Sequence, residues 1–154
     1  MRQNLTSLEL CIKMIKVDKK SKKAVKSARI LIVEDENIIA MDIQSTLRKM
    51  GYDVFAIVSS GEESIKIASS SMPDIVLMDI KLKGKMNGIQ AAKSIYRQFR
   101  IPVIYVSAYG DEHTYVQSGR FEPFEFIRKP FIEEELEDKI SGVLHKSRKY
   151  STLN

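Results

Sequence analysis

Several residues that could do chemistry share a position: each lies within three residues of the end of a short apolar run. Glu34, Asp35 and Glu36 come after RILIV, Asp79 after DIVLM, Ser107 after PVIYV, and Lys129 just past FEFI. Three carboxylates brought together repel one another unless protons or a cation compensate. A small cluster of hard oxygen ligands suits Mg²⁺, which keeps several waters and commonly shares its sphere with a phosphate. A lysine and a hydroxyl opposite the acids complete the parts of phosphoryl transfer, which depends on positioning and on neutralising charge over three oxygens. The ion would take one oxygen, Lys129 another, and Ser107 with a backbone amide the third. Asp79 would be the nucleophile, since carboxylates can form aspartyl phosphates. Taken singly, an acid after a strand is an ordinary helix cap and a lysine before proline an ordinary exposed residue. The weight lies in the set.

The elements that must position this set recur from residue 29 onward. The short runs are Arg29 to Val33, Asp53 to Val58, Asp74 to Met78, Pro102 to Val106 and Phe124 to Ile127. The first, third and fourth are continuously apolar, the pattern of parallel strands covered on both faces. Amphipathic stretches lie between them. Asn37 is placed to cap a helix carrying Ile38, Met41, Leu47 and Met50, closed by Gly51. A second helix is expected over about Glu62 to Ser70, with Ile65 and Ala68 on one face. The third begins near Gly88 and spaces Ile89, Ala92, Ile95 and Tyr96 for burial. A weaker one follows Asp111, and the last, about Glu133 to His145, aligns Leu136, Ile140 and Val143.

Five strands alternating with five helices predict an α/β, doubly wound five-stranded parallel sheet with helices on both faces. Such sheets take the strand order 3-2-1-4-5-6 or the flavodoxin-like 2-1-3-4-5, and both bind ligands beyond the carboxyl ends of the strands. In the second order, the one expected here, strands one and three are neighbours. Glu34, Asp35 and Asp79 then converge on one point.

With 154 residues and 44% hydrophobic content, the chain suits one domain and a short extension. Its apolar runs fall far short of the roughly 18 residues that cross a bilayer. The single cysteine, Cys11, permits no internal disulfide and suits a reducing cytoplasm. The net charge of +5 is unevenly placed. Residues 1–29 hold nine basic residues against Glu9 and Asp18, a balance of +7, and the remainder is mildly acidic at −2. A basic balance of this origin argues against a nucleic-acid-binding fold. Leu5, Leu8, Ile12 and Ile15 have helical spacing, and Lys16 to Lys26 reads as a solvated linker. The expected division is a basic N-terminal extension over 1–27, a globular domain over 28–148, and a C-terminal tail over 149–154.

The segments ILIVEDE at 30–36, DIVLMDIKL at 74–82, MNGIQAA at 86–92, IPVIYVSAY at 101–109 and FIRKPF at 126–131 stand in a specific order and separation. In these the chain, from about Ala28 to Lys146, resembles the receiver domain of bacterial and archaeal two-component response regulators. The resemblance implies Asp79 as phosphoacceptor, Glu34 and Asp35 as the acidic pair serving Mg²⁺, Ser107 as switch hydroxyl and Lys129 as phosphate-binding lysine. It also implies that the Lys81 backbone carbonyl completes the metal's protein ligands, that Phe126 holds the aromatic switch position, and that Lys129–Pro130 is cis. Departures from the commonest pattern are Glu34 for Asp, Ser107 for Thr, Phe126 for Tyr, and a loop over Ile80 to Asn87 that carries Gly84 in place of proline. Lys81 and Tyr109 flank the site and should tune hydrolysis of the acyl phosphate.

The implied activity is that of a switch. A sensor histidine kinase or histidine phosphotransfer protein donates to Asp79, and the new dianion draws in Ser107. That biases the face of the fourth helix, fifth strand and fifth helix, toward a downstream protein target or a homodimer. Such a cytoplasmic protein catalyses only its own phosphorylation and dephosphorylation. His113 and His145 stand outside this scheme. A Mg²⁺-dependent phosphohydrolase also forms an aspartyl phosphate, but usually has a second acid two residues on, where this chain has Lys81. A phosphorylation-independent module that keeps the fold is the other alternative, against which Asp79, Ser107 and Lys129 count.

Overall fold

The structure is a computed structural model that describes Thr6 and residues 28–108, 110–117 and 125–151. The expected extension over 1–27, apart from Thr6, and Tyr109 lie outside these residues. Five strands, β1 (Arg29–Val33), β2 (Asp53–Val58), β3 (Ile75–Met78), β4 (Val103–Ser107) and β5 (Glu125–Arg128), alternate with five helices. These are α1 (Asn37–Lys49), α2 (Gly61–Ser71), α3 (Gly88–Phe99), α4 (Asp111–Gln117) and α5 (Glu133–Ser151). All strand pairs are parallel, in the order β2-β1-β3-β4-β5.

Alternate residues of the central strands feed two separate cores, as the two-residue period of a strand requires. On one face Ile30, Ile32, Ile75, Leu77 and Ile104 pack with Ile43 and Leu47 of α1 and Leu136 and Ile140 of α5. On the other, Leu31, Val33, Val76, Met78 and Tyr105 pack with Ala68 of α2 and Ile89, Ala92 and Ile95 of α3. Every residue of β3 and β4 is buried, which explains their unbroken apolar runs. The edge strands β2 and β5 are only partly covered.

Helix ends follow local chemistry. The Ser60 hydroxyl accepts from the Glu63 amide at α2, and Asn87 and Gln90 form a reciprocal capping box at α3. Gly51, at φ +92°, lies just past α1 in the left-handed conformation that glycine adopts freely.

The structure corrects three expectations about helices. The residue capping α1 is Glu36, without a side-chain cap bond, and Asn37 is already helical. Its buried side is Ala40, Ile43 and Leu47 with Met50, whereas Ile38 and Met41 are exposed by 86% and 65%. The run Ile38-Ile39-Ala40-Met41 is apolar all around one turn, so periodicity cannot choose its inner side. The sheet accepts the side carrying the small Ala40. Finally, α5 runs to Ser151, so residues 149–151 of the expected tail are helical, with Arg148 and Lys149 in a last turn that favours cations.

Candidate functional site

The sheet order brings β1 and β3 side by side, and their ladder extends into the acids that follow. The Asp79 amide donates to the Val33 carbonyl at 2.9 Å, and the Glu34 amide to the Val58 carbonyl at 3.0 Å. Both acids are thus fixed by backbone pairing and not by loop conformation. Oxygens of Glu34, Asp35 and Asp79 lie within 4.8 Å of one another, the one such acidic cluster among the described residues. Glu34 and Asp79 are buried and Asp35 is half-buried. The donors are all carboxylate oxygens, with no nitrogen or sulfur, and these could hold a hard metal ion.

Lys129 reaches the same point from β5. Its ammonium donates to Glu34 Oε2 at 2.5 Å and lies 3.5 Å from Asp79 Oδ2. Its amide donates to the Ser107 carbonyl at 2.9 Å, and the Lys129–Pro130 bond is cis. One ammonium does not balance three carboxylates. Burial pushes the Glu34 carboxyl above its ordinary range, the Lys129 bond opposes that, and the charge of Asp79 adds to the rise. The site thus holds uncompensated negative charge, which fits a cation.

Asp79 is held on its other side. Its Oδ1 accepts from the Ser107 hydroxyl at 2.9 Å and from the Lys81 amide at 3.1 Å. Asp35 Oδ2 accepts from the Lys83 amide at 2.9 Å, which ties the β3–α3 loop to the acidic pair. A cleft lined by Asp35, Ile80, Lys81, Lys83, Asn87 and Thr114 opens beside these groups. Behind Asp79, the N-terminus of α3 abuts the chain so closely that a Cβ on Gly88 would lie 1.8 Å from the Asp79 carbonyl oxygen. Only glycine fits there.

The structure therefore brings together Glu34, Asp35, Asp79, Ser107 and Lys129. Phe126 lies one strand over, half-buried on β5 and in register with Tyr105 of β4. The Lys81 side chain pairs with Asp111 Oδ1 at 2.9 Å. Asp111 is the residue that sequence reasoning missed. It is 2% exposed, and its Oδ2 lies 2.6 Å from the Ser107 hydroxyl. Burial alone would raise its carboxyl, but the bonds from Ser107 and Lys81 win and hold it below its ordinary range. The only signal was an acid four residues past the hydroxyl, at the start of a helix, where an acid has an ordinary capping role. His113 is exposed on α4 and His145 exposed on α5. No described helix is long and apolar enough to cross a membrane.

The sequence model of the response regulator receiver domain matches residues 30–141. The phyllosphere-induced regulator PhyR of Methylorubrum extorquens is 36% identical over 106 residues, 68% of this chain and 39% of that protein. The alkaline phosphatase synthesis transcriptional regulatory protein PhoP of Bacillus subtilis is 31% identical over 120 residues, 77% of this chain and 49% of that protein. Among solved structures, the signal receiver domain of a modulated diguanylate cyclase from Desulfovibrio desulfuricans superposes with a TM-score of 0.75 at 31% identity, covering 80% of this chain and 98% of that one. The chain spans 39% to 60% of the length of such curated relatives.

Proposed function

The chain belongs to the response regulator receiver family, a family of phosphorylatable two-component switches, and on that premise we propose that Asp79 is its phosphoacceptor, served by Glu34, Asp35, Ser107 and Lys129. One observation carries this reading. The Asp79 carboxylate stands between the Ser107 hydroxyl at 2.9 Å and the Lys129 ammonium at 3.5 Å, with Glu34 and Asp35 oxygens within 4.8 Å.

The residues divide the work. Asp79 Oδ2 faces Lys129, so the ammonium can move from one carboxylate oxygen to a phosphoryl oxygen with little displacement. Its second contact, to buried Glu34, keeps the flexible lysine side chain in place beforehand. Ser107 supplies a hydroxyl proton for another phosphoryl oxygen. Glu34 and Asp35, with Asp79 and the Lys81 carbonyl, are the residues that would hold Mg²⁺. That ion, when bound, supplies charge neutralisation for a phosphoryl group. Glu34 carries one more methylene than aspartate, which suits contact through a metal-bound water. The tight packing of Gly88 on the Asp79 backbone keeps the acceptor from shifting as charge develops.

A phosphohistidine on a sensor histidine kinase or a histidine phosphotransfer protein is the proposed donor. The proposed readout is protein contact through α4, β5 and α5, by a downstream protein or a second copy of the chain. Phe126 sits on that face and is the proposed aromatic switch. Apart from its own phosphorylation and dephosphorylation, no catalytic activity is proposed.

The test is labelling by a small-molecule phosphodonor with magnesium. Wild type should take up phosphate that is labile to base and to hydroxylamine, and chelator should abolish the uptake. Equal label on Asp79→Asn would remove Asp79 from this role.

A further inference from the structure

The Ser107 hydroxyl faces two carboxylates at once, Asp79 Oδ1 at 2.9 Å and Asp111 Oδ2 at 2.6 Å. A serine hydroxyl has one proton, and an ionised carboxylate can only accept. The two acids therefore compete for one donor, and the shorter contact is to Asp111. The other oxygen of Asp111 takes the Lys81 ammonium at 2.9 Å. Asp111 is 2% exposed, so these two donors, with the Ala108 backbone, stand in for water that its charge has lost. Lys81 is tied to the acceptor as well, because its amide donates to Asp79 Oδ1. Asp111 thus gathers the hydroxyl next to the acceptor and a cation two residues after it, without touching the acceptor.

We propose that Asp111 is a positioning residue that stabilises the resting switch by holding the Ser107 hydroxyl and the Lys81 ammonium away from the phosphoryl position. The proposal rests on Asp79 being the acceptor. A phosphoryl oxygen that takes the single Ser107 proton must break the hydroxyl's bond to Asp111, so that bond exists only in the resting state. An interaction present in one state alone biases the equilibrium by its own worth. Asp111 begins α4, so loosening this bond also frees the start of the helix that lies beside β5 on the proposed output face.

The experiment titrates beryllofluoride, a phosphoryl mimic, with magnesium into wild type, Asp111→Ala, Asp111→Asn and Asp79→Asn, and follows the melting temperature at each concentration. A charge-assisted bond lost only from the resting state should tighten apparent beryllofluoride affinity roughly tenfold in Asp111→Ala. Asp111→Asn, which keeps an acceptor oxygen but not the charge, should fall between. It also fits the same space should the alanine variant not fold. In a Ser107→Ala background, removing Asp111 should tighten affinity much less, since the shared donor is gone. A residue that merely braced the fold would lower the melting temperature without tightening the mimic. Wild-type binding with equal or weaker binding by both folded Asp111 variants overturns the proposal. If wild type binds no better than Asp79→Asn, the phosphoacceptor reading itself fails.

Discussion

Burial raises the carboxyls of both buried acids beside Asp79, yet their net shifts are opposite, and the difference lies in their partners. Asp111 has Ser107, Lys81 and the Ala108 backbone as partners and ends below its ordinary range. Glu34 accepts from Lys129 and the Glu36 amide, yet faces Asp79 and ends above its range. Linkage gives the sign for each. Folded Glu34 holds its proton more tightly than the unfolded chain does, so its contribution falls as pH rises from about 4.5, its ordinary value, through the higher folded value. Asp111 contributes stability present above about 3.8 and lost as pH falls through its lower folded value. Thermal unfolding in chelator should therefore show a stability decline above pH 4.5 that Glu34→Gln flattens. An unchanged profile in that variant would place the decline elsewhere. The acids of the site could be read from the sequence because each lies within two residues of a strand end. Asp111 could not, because its partners, Ser107 and Lys81, are brought to it only by the β4–α4 turn and the neighbouring β3 loop.

At the level of elements, the same substitution should have opposite effects at two glycines. At Gly88 a Cβ would meet the Asp79 carbonyl oxygen at 1.8 Å, its carbon at 2.8 Å and the Ile80 Cα at 2.9 Å, all backbone atoms that cannot swing aside. Gly88→Ala should cost about 3 kcal/mol or more and slow the proposed labelling of Asp79, because α3 must back away from that residue. At Gly142, within α5, a Cβ would meet nothing within 4 Å. Gly142→Ala should stabilise the chain by about 1 kcal/mol, the helix-propensity difference, read by urea denaturation. A destabilised Gly142→Ala or a neutral Gly88→Ala would contradict the packing described.

Helix α1 offers a similar contrast. Leu47 is fully buried, and Leu47→Ala should cost about 3 kcal/mol. Ile38 is 86% exposed, and Ile38→Ala should change stability by less than about 0.5 kcal/mol. The sequence pattern put both on one inner face. It located the helix and missed its rotation, because four consecutive apolar residues leave no polar side to orient the first turn. Strand boundaries were legible to within one residue, since parallel strands buried on both faces leave unbroken apolar runs that charged or turn residues end.

For the molecule as a whole, the order β2-β1-β3-β4-β5 turns scattered residues into a site. Residues as far apart as Glu34 and Lys129 meet at 2.5 Å because their strands point the same way and the residues that follow all emerge at one edge. The alternation of strands and helices made the fold class legible and left two strand orders open. Which of them the chain adopts decides whether the acids meet, and the convergence found here is that of the flavodoxin-like order. The face formed by α4, β5 and α5 is braced within the chain. Glu125 pairs with Lys139 at 2.9 Å and with Lys146 at 3.6 Å, and Arg128 of β5 pairs with Glu112 of α4. A shift of α4 on phosphorylation would therefore disturb the Glu112 pair, a link between the proposed chemistry at Asp79 and the proposed output face.

The most direct test of the central claim is to locate the phosphoryl group itself. After reaction with a small-molecule phosphodonor and magnesium, borohydride reduction of the acyl phosphate and peptide mass spectrometry should find the modified residue at Asp79, with Glu34, Asp35 and Asp111 unmodified. A phosphoryl group found on another residue, or none found on a chain that still binds magnesium, would contradict the account.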